Sequence, residues 1–368
     1  MTNQMTSSAL MHSIIQRIAT GPELSKDITL DEAREGMQAV LRGEIDDVQT
    51  AIFLIALRMK RETDEENKGV LEAILKNSES RQADVDELVS LVDPYDGMNR
   101  NLPIAPMIPL VLAACGLPCV SHGLDAVGPK FGVTHRHVLQ AAGVDVDISL
   151  DQARSRLENP DLGWAYVDQK TFFPGLHDLT GLRQRIIKRQ VITTVEVLAK
   201  PLTAKHKTHL VTGYVHKPYP AKYASLARFA GFEGCLLVRG TEGGVIPSLR
   251  QPGMIFRYDN GGEEQPVEIS PESLAIDQPV RAVPLPEAAG ADPSGDEIAR
   301  ITDVRQAAKS AADTGLRALR GEPGPAYDSL LYASALILWH CGREQTLTDA
   351  AARVRQVLDS GEAAERLG

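Results

Sequence analysis

The sequence predicts an α/β protein with a small N-terminal helical domain over residues 1–82 and a larger α/β domain over 83–368, built on a mostly parallel central sheet. Two changes of texture and one junction carry that reading. About eighty residues at the start show repeated helix-start signals and apolar residues at helical spacing. From about Val89 the chain turns to short β-prone runs, each near Gly or Pro and separated by helical stretches, as a parallel sheet with crossover helices requires. Between Cys119 and Gly143 an apolar run reaches Val120, Gly128-Pro129-Lys130-Phe131-Gly132 forms a loop, and helical spacing returns at Val138, Leu139 and Ala142. That is a strand feeding a helix through a glycine-bearing turn.

In the N-terminal part, Thr29-Leu30-Asp31-Glu32 fits a capping box, in which a hydroxyl and a carboxylate satisfy the first turn's orphan amides. Gly43 can stop that helix in a left-handed conformation. Asp46 is the next N-cap, opening a helix so apolar from Ala51 to Leu57 that burial on all sides is expected, in the core or against a partner subunit. Phe53, Met37 and Met59 read as core. A second capping box, Thr63 to Glu66, starts the helix carrying Val70, Leu71, Ile74 and Leu75.

In the larger part, Cys119-Val120, Val144–Ile148, His209–Val215 and Cys235–Val238 read as strands, and Met254–Tyr258 with Val267–Ile269 as a hairpin around Asp259-Asn260-Gly261-Gly262. Pro284–Ser294 reads as a surface loop, and Glu297–Leu319, Tyr327–Cys341 and Leu347–Leu358 as closing helices. Leu102 to Leu124 runs uncharged for 23 residues, but its four prolines and polar Ser121 and His122 argue for a buried helix rather than a membrane span.

Composition bounds the function. The chain is 43% hydrophobic and 24% charged, which fits an ordinary soluble globular protein. Cys115, Cys119, Cys235 and Cys341 lack paired metal-ligand spacing, and no signal-peptide pattern opens the chain, so a reducing cytoplasm and no metal site are expected. The net charge of −10 disfavours nucleic acid and anionic membranes. One window departs from that balance: between Arg183 and Lys222 lie nine cations, Arg183, Arg185, Lys188, Arg189, Lys200, Lys205, Lys207, Lys217 and Lys222, against one acid, Glu196. Interleaved with Tyr214, Tyr219 and Tyr223, the window points to a phosphate-rich ligand in a basic groove.

The glycine-bearing turn points the same way. Amides at a helix start beside a lysine favour an anion, and Lys130 supplies the charge, although turn geometry alone accounts for many such loops. His122 beside Gly123 reads as a hydrogen-bonded structural residue or a proton carrier, and His135 and His137 as turn or helix-start residues.

The segments ITLDEAREGMQAVLRGEI, AIFLIALRMKRET, SHG, GEPGPAYDSLLYASALIL and VLDSGEAAERL, in that order, resemble the anthranilate phosphoribosyltransferase family with its glycosyltransferase family 3 helical domain. The resemblance implies the nucleoside phosphorylase/phosphoribosyltransferase type of fold, a homodimer through the helical domain, and a site for phosphoribosyl pyrophosphate. A nucleoside phosphorylase is disfavoured, because its Ser-, Gly-, Thr- and Lys-rich loops are missing.

The family's Gly-Thr-Gly-Gly-Asp-Gly loop, which wraps the pyrophosphate, falls on Asp93-Pro94-Tyr95-Asp96-Gly97-Met98-Asn99, and only Asp96-Gly97 is kept. Pro94 has no N–H and Tyr95 carries a bulky side chain, so this backbone cannot lie against phosphate as a glycine run does. The family's Asn-x-Ser-Thr meets Pro103 to Pro106. Of Lys-His-Gly-Asn-Arg only His122 and Gly123 remain, while Lys130 and Gly132 match the Lys and Gly of Ser-Ser-Lys-Ser-Gly. Two family arginines, one of them associated with the aromatic acid, fall on Arg183 and Arg189. Where the family holds magnesium with an Asp-Glu pair, Glu242 is the only acid between Arg239 and Val245.

The chain is most similar to a diverged, trpD-like branch that lacks the donor loop and includes nucleic-acid binders. The resemblance therefore implies a partner that is nucleic acid or a phosphorylated small molecule, held at Asp96, Gly97, Asn99, His122, Gly123, Lys130 and Gly132, with Arg183 and Arg189 as acceptor or anion ligands. It implies that transfer to anthranilate is weak or lost, and that magnesium is needed only if transferase activity is retained. The alternative is an active pentosyltransferase, in which an aromatic or heterocyclic nitrogen attacks the anomeric carbon of the donor and pyrophosphate leaves.

Overall fold

A computed structural model of the chain describes residues 6–21, 23–286, 292–293, 299–301 and 303–368. The N-terminal part forms helices α1 (Ser7–Ile18), α2 (Leu30–Leu41), α3 (Asp47–Lys60) and α4 (Asp64–Asn77). Both expected capping boxes form, with Thr29 and Thr63 accepting from the amides of Glu32 and Glu66, and Asp46 accepts from Val48 and Gln49. Helices α2 and α4 lie so close that a Cβ added at Gly69 would fall 2.3 Å from the Leu30 carbonyl oxygen. Glycine at that position is what allows the approach.

The larger part is built on a sheet of β1 (Glu87–Val92), β2 (Cys119–Gly123), β3 (Trp164–Asp168), β4 (Lys207–Gly213), β5 (Gly234–Val238), β6 (Gly253–Tyr258) and β7 (Gln265–Ile269). The spatial order is β3-β2-β1-β4-β5-β6-β7. The first five are parallel and β6 and β7 add antiparallel. In β2, β3 and β5 every residue is buried, as strands covered on both faces must be. The β6–β7 turn has positive φ at Asn260 and Gly261, the combination that suits a tight hairpin. Helices Val304–Ala318, Pro325–His340 and Leu347–Ser360 close the chain.

Residues of 191–198 and 224–232 pack in one core with Phe53, Leu54, Leu57 and Ile74. The helical part is therefore fused to the carboxyl ends of the strands by shared apolar packing, and this shared face is where a cleft opens.

Several expectations are corrected. Val144–Ile148 forms no strand: Val146 and Ile148 bury their side chains, but the Val146 carbonyl accepts from Arg136 at 3.4 Å instead of a neighbouring strand. Strands β1 and β3 were not read as such from the sequence. Met59 is not core; it is 73% exposed and continues an outward stripe with Val48, Ile52 and Ile55 along α3. The first closing helix begins at Val304 rather than 297, and the 284–294 loop falls largely outside the described residues. No described helix is long and apolar enough to cross a membrane.

Candidate functional site

Parallel strands release their following loops at their carboxyl ends, so in an open α/β sheet the site is sought there. The loop after β1 supplies Asp93 to Arg100, the turn after β2 supplies Lys130 and Gly132, and the loop after β5 supplies Glu242. Gly97 and Gly132 lie back to back: a Cβ on either would come within 2.7 Å of the other loop's backbone. The pairing is locked by Met98 N–H to the Val133 carbonyl at 2.9 Å and Val133 N–H to the Met98 carbonyl at 2.7 Å.

The loop after β1 spends its amides on its own chain. Gly97 N–H donates to the Pro94 carbonyl at 2.9 Å, and Met98 to Val133. Asn99 and Arg100 N–H both donate to the Glu242 carboxylate, at 3.2 and 2.7 Å. Lys130 Nζ lies 3.7 Å from the same carboxylate. Glu242 reaches this position from a left-handed backbone, φ 53°, which costs a residue with a side chain about 1 kcal/mol or more. An internal carboxylate thus sits where amides and a lysine would otherwise meet an external anion.

Two more acids stand at the site. Asp96, buried, binds Arg189 at 2.7 Å and faces Lys130 at 3.3 Å. Asp93 accepts from the Val245 amide at 2.9 Å and contacts His135 Nε2 at 3.1 Å. Magnesium needs free carboxylate oxygens; Glu242, Asp93 and Asp96 Oδ2 already hold amides, a histidine or Arg189, and the one oxygen that accepts no hydrogen bond, buried Asp96 Oδ1, faces Lys130 at 3.3 Å, so the residues do not fit a magnesium-diphosphate cage as arranged.

His122 is buried, and its Nε2 has no hydrogen-bond partner among the described residues. Its Nδ1 bonds the buried Tyr95 hydroxyl and its ring packs edge-on against Phe172 at 5.6 Å. Burial, and then the nearby His135, drop its pKa to about 3, so the ring is neutral at neutral pH. Gly123 ends β2 beside it.

The two candidate arginines separate. Arg183, 1% exposed, makes a two-pronged pair with Glu196 at 2.7 and 2.8 Å and donates from Nε to Gln190. Its guanidinium is fully committed inside the core, which corrects the expectation of a ligand contact. Arg189 is exposed and lines a cavity of about 160 Å³ together with Arg58, Asp96, Thr193, Thr194, Tyr214, His216, Tyr219, Tyr223 and Glu242. Arg58, donating to Glu62 at 2.6 Å and Thr194 at 3.3 Å, was not anticipated, because it falls just past the apolar run Ala51–Leu57 and outside the basic window. Tyr219 and Tyr223, four residues apart on the helix Tyr219–Phe229, were legible as an aromatic pair but not as cavity wall.

The basic window does not form one groove. Arg185 pairs with Asp47, Lys205 with Asp84, and Lys207 with Asp259 at 2.9 Å. Lys200 donates to the Gly231 carbonyl at 3.1 Å and Lys222 to that of Glu62 at 3.2 Å. Lys205 and Lys207 stand at the amino end of β4, the opposite end of the sheet from Arg189. Lys188 and Lys217, both exposed and adjacent in sequence to cavity residues, make neither an ion pair nor a side-chain hydrogen bond among the described residues.

A helical bundle fused to a doubly covered, mostly parallel sheet, with an interdomain cleft at the strand ends, defines a protein of the phosphoribosyltransferase-like class. Residues 12–78 match the glycosyl transferase family helical bundle domain and residues 96–364 the glycosyl transferase family a/b domain, and the chain belongs to that family. An uncharacterized protein of Aquifex aeolicus is 32% identical over 69% of this chain and 74% of its own length. The anthranilate phosphoribosyltransferase of Thermomicrobium roseum is 25% identical over 97% of this chain and 95% of its own. In structure, the anthranilate phosphoribosyltransferase of Thermus thermophilus superposes with a TM-score of 0.73 at 19% identity, covering 97% of both chains. That of Saccharomyces cerevisiae, in complex with PRPP and Mg, gives 0.74 at 16%, covering 98% of this chain and 96% of that one. These two likenesses establish the fold.

Proposed function

We propose that this chain binds a small phosphate-bearing ligand in the interdomain cleft and that its transfer of phosphoribose to anthranilate is weak or lost. The observation that carries this is the closed donor loop, with its four consecutive amides from Gly97 to Arg100 bonded internally, two of them to Glu242. What remains for an anion is cationic side chains: Arg189 on the cavity wall, Lys130 behind Asp96, and Arg58 opposite. Tyr219 and Tyr223 offer an aromatic face beside them. Cations with an aromatic wall suit a nucleotide or a phosphorylated aromatic compound. In this reading Asp96, Gly97, Asn99 and Gly132 shape the loop, and the ligand meets Lys130 and Arg189.

Calorimetric titration of phosphoribosyl pyrophosphate and of adenosine monophosphate, each with and without magnesium, tests the reading. Saturable binding that is indifferent to magnesium and falls at least tenfold in Arg189→Ala is expected. Binding that requires magnesium contradicts it.

Nucleic acid is the second reading, favoured by exposed Lys188 and Lys217 beside the cavity's aromatic wall, where a single strand could stack bases and lose counterions. Steep weakening of single-stranded DNA or RNA binding with salt, relieved by Lys188→Glu and Lys217→Glu, would select it. We further propose a homodimer through the outward stripe of α3, with the sequence segments 1–82 and 83–368 as the two domains.

A further inference from the structure

We propose that Glu87, His209 and Cys341 form a binding site for a divalent transition metal of the zinc or cobalt class at the amino ends of the central strands, the opposite end of the sheet from the cleft. The donor atoms of these three residues all lie within 4.8 Å of one another. Glu87 opens β1 and His209 lies on the neighbouring β4, two residues past the register partner of Glu87. Cys341 directly follows the helix Pro325–His340. An imidazole, a thiolate and one carboxylate are a set that suits zinc or cobalt, and not the oxygen-only preference of magnesium or calcium.

The surroundings are shaped for these ligands. A Cβ at Gly234 would fall 2.1 Å from His209 Nδ1, so only glycine leaves room for the ring. Arg343 binds Glu87 Oε2 at 2.6 Å and leaves Oε1 directed at His209 Nε2, 2.7 Å away. Four-coordinate bond lengths place ligand atoms about 3.3 Å apart, so the ion enters by opening that pair about 0.6 Å. Behind it, His209 Nδ1 lies 3.2 Å from His340 Nε2, and His340, 2% exposed, has an Nδ1 with no partner among the described residues. A metal-ligating histidine is normally oriented through its other nitrogen in this way.

The protons balance. Before loading, His209 Nε2–H donates to Glu87 and His340 Nε2–H to His209 Nδ1. On loading, His209 carries its proton on Nδ1 and donates to His340 Nε2, His340 carries its own on Nδ1, and the Cys341 thiol releases one proton to solvent. Each ion bound therefore frees one proton and ties the last helices to the sheet.

Cobalt(II) titrated into the chelator-stripped full chain tests this. Expected are one equivalent bound, a thiolate-to-cobalt charge-transfer band, one proton released and a raised thermal midpoint. Cys341→Ser should abolish the band, and His340→Gln should keep it with affinity about tenfold weaker. No band in the wild-type chain, or the same band in Cys341→Ser, overturns the proposal. If Cys341→Ser fails to fold by circular dichroism, Glu87→Gln decides: the band with affinity at least tenfold weaker supports the site, and unchanged affinity overturns it.

Discussion

At the scale of single residues, the chemistry of the cleft turns on where charges find partners. Arg183 and Arg189 are six positions apart in the same basic window, yet one is sealed in the core by Glu196 and the other reaches the cavity. Nothing local in the sequence distinguishes them, because the deciding carboxylates, Glu196 and Asp96, come from different distances along the chain. Arg183→Met strands Glu196 as a buried charge and should cost about 3–5 kcal/mol in urea unfolding while leaving ligand affinity in the folded fraction unchanged. A loss of affinity without loss of stability would return Arg183 to the ligand.

His122 makes a pH prediction of its own. Its pKa is about 3 in the folded chain against an ordinary 6.5, so between those values the unfolded state binds the extra proton. Its contribution to stability is complete above pH 6.5 and is lost progressively as pH falls toward 3. His122→Asn should flatten the rise of unfolding free energy with pH across that window; an unchanged slope would mean the ring is not held neutral.

At the scale of elements, the helical part was the most legible, since each cap satisfies its own amides within four residues and needs no distant partner. Strand identity was less so. Val144–Ile148 alternates as a strand does, but a ladder needs a neighbour, and Arg136 takes that place. Helix α3 shows the same limit: it reads as apolar all round, and whether its outer stripe is core or contact depends on what packs there. Val48 and Met59, 68% and 73% exposed, show that the stripe is not core, and the proposed dimer interface rests on them. Val48→Asp with Met59→Lys should shift the chain from dimer to monomer in light scattering, with the monomer still folded; a wild-type monomer at micromolar concentration would refute the proposed interface.

At the scale of the whole molecule, the basic window is largely neutralised by acids the sequence places elsewhere. The acids that neutralise the window, Asp47, Asp84, Asp96 and Asp259, are scattered outside it in sequence and meet it only in the fold. Lys205→Glu with Lys207→Glu, at the far end of β4, should therefore leave phosphate-ligand affinity within about twofold of wild type; a large loss would restore a continuous basic groove. The loop after β1 was half legible. Its missing glycines stand in the sequence, whereas the capture of its last amides by Glu242, from more than one hundred residues away, does not.

Pyrophosphate release from phosphoribosyl pyrophosphate in the presence of magnesium and anthranilate decides whether that capture governs function. With its amides and carboxylates engaged as described, the chain should release pyrophosphate only slowly or not at all above the uncatalysed background. Steady, magnesium-dependent release that scales with anthranilate would show that the loop opens and that the transferase is intact.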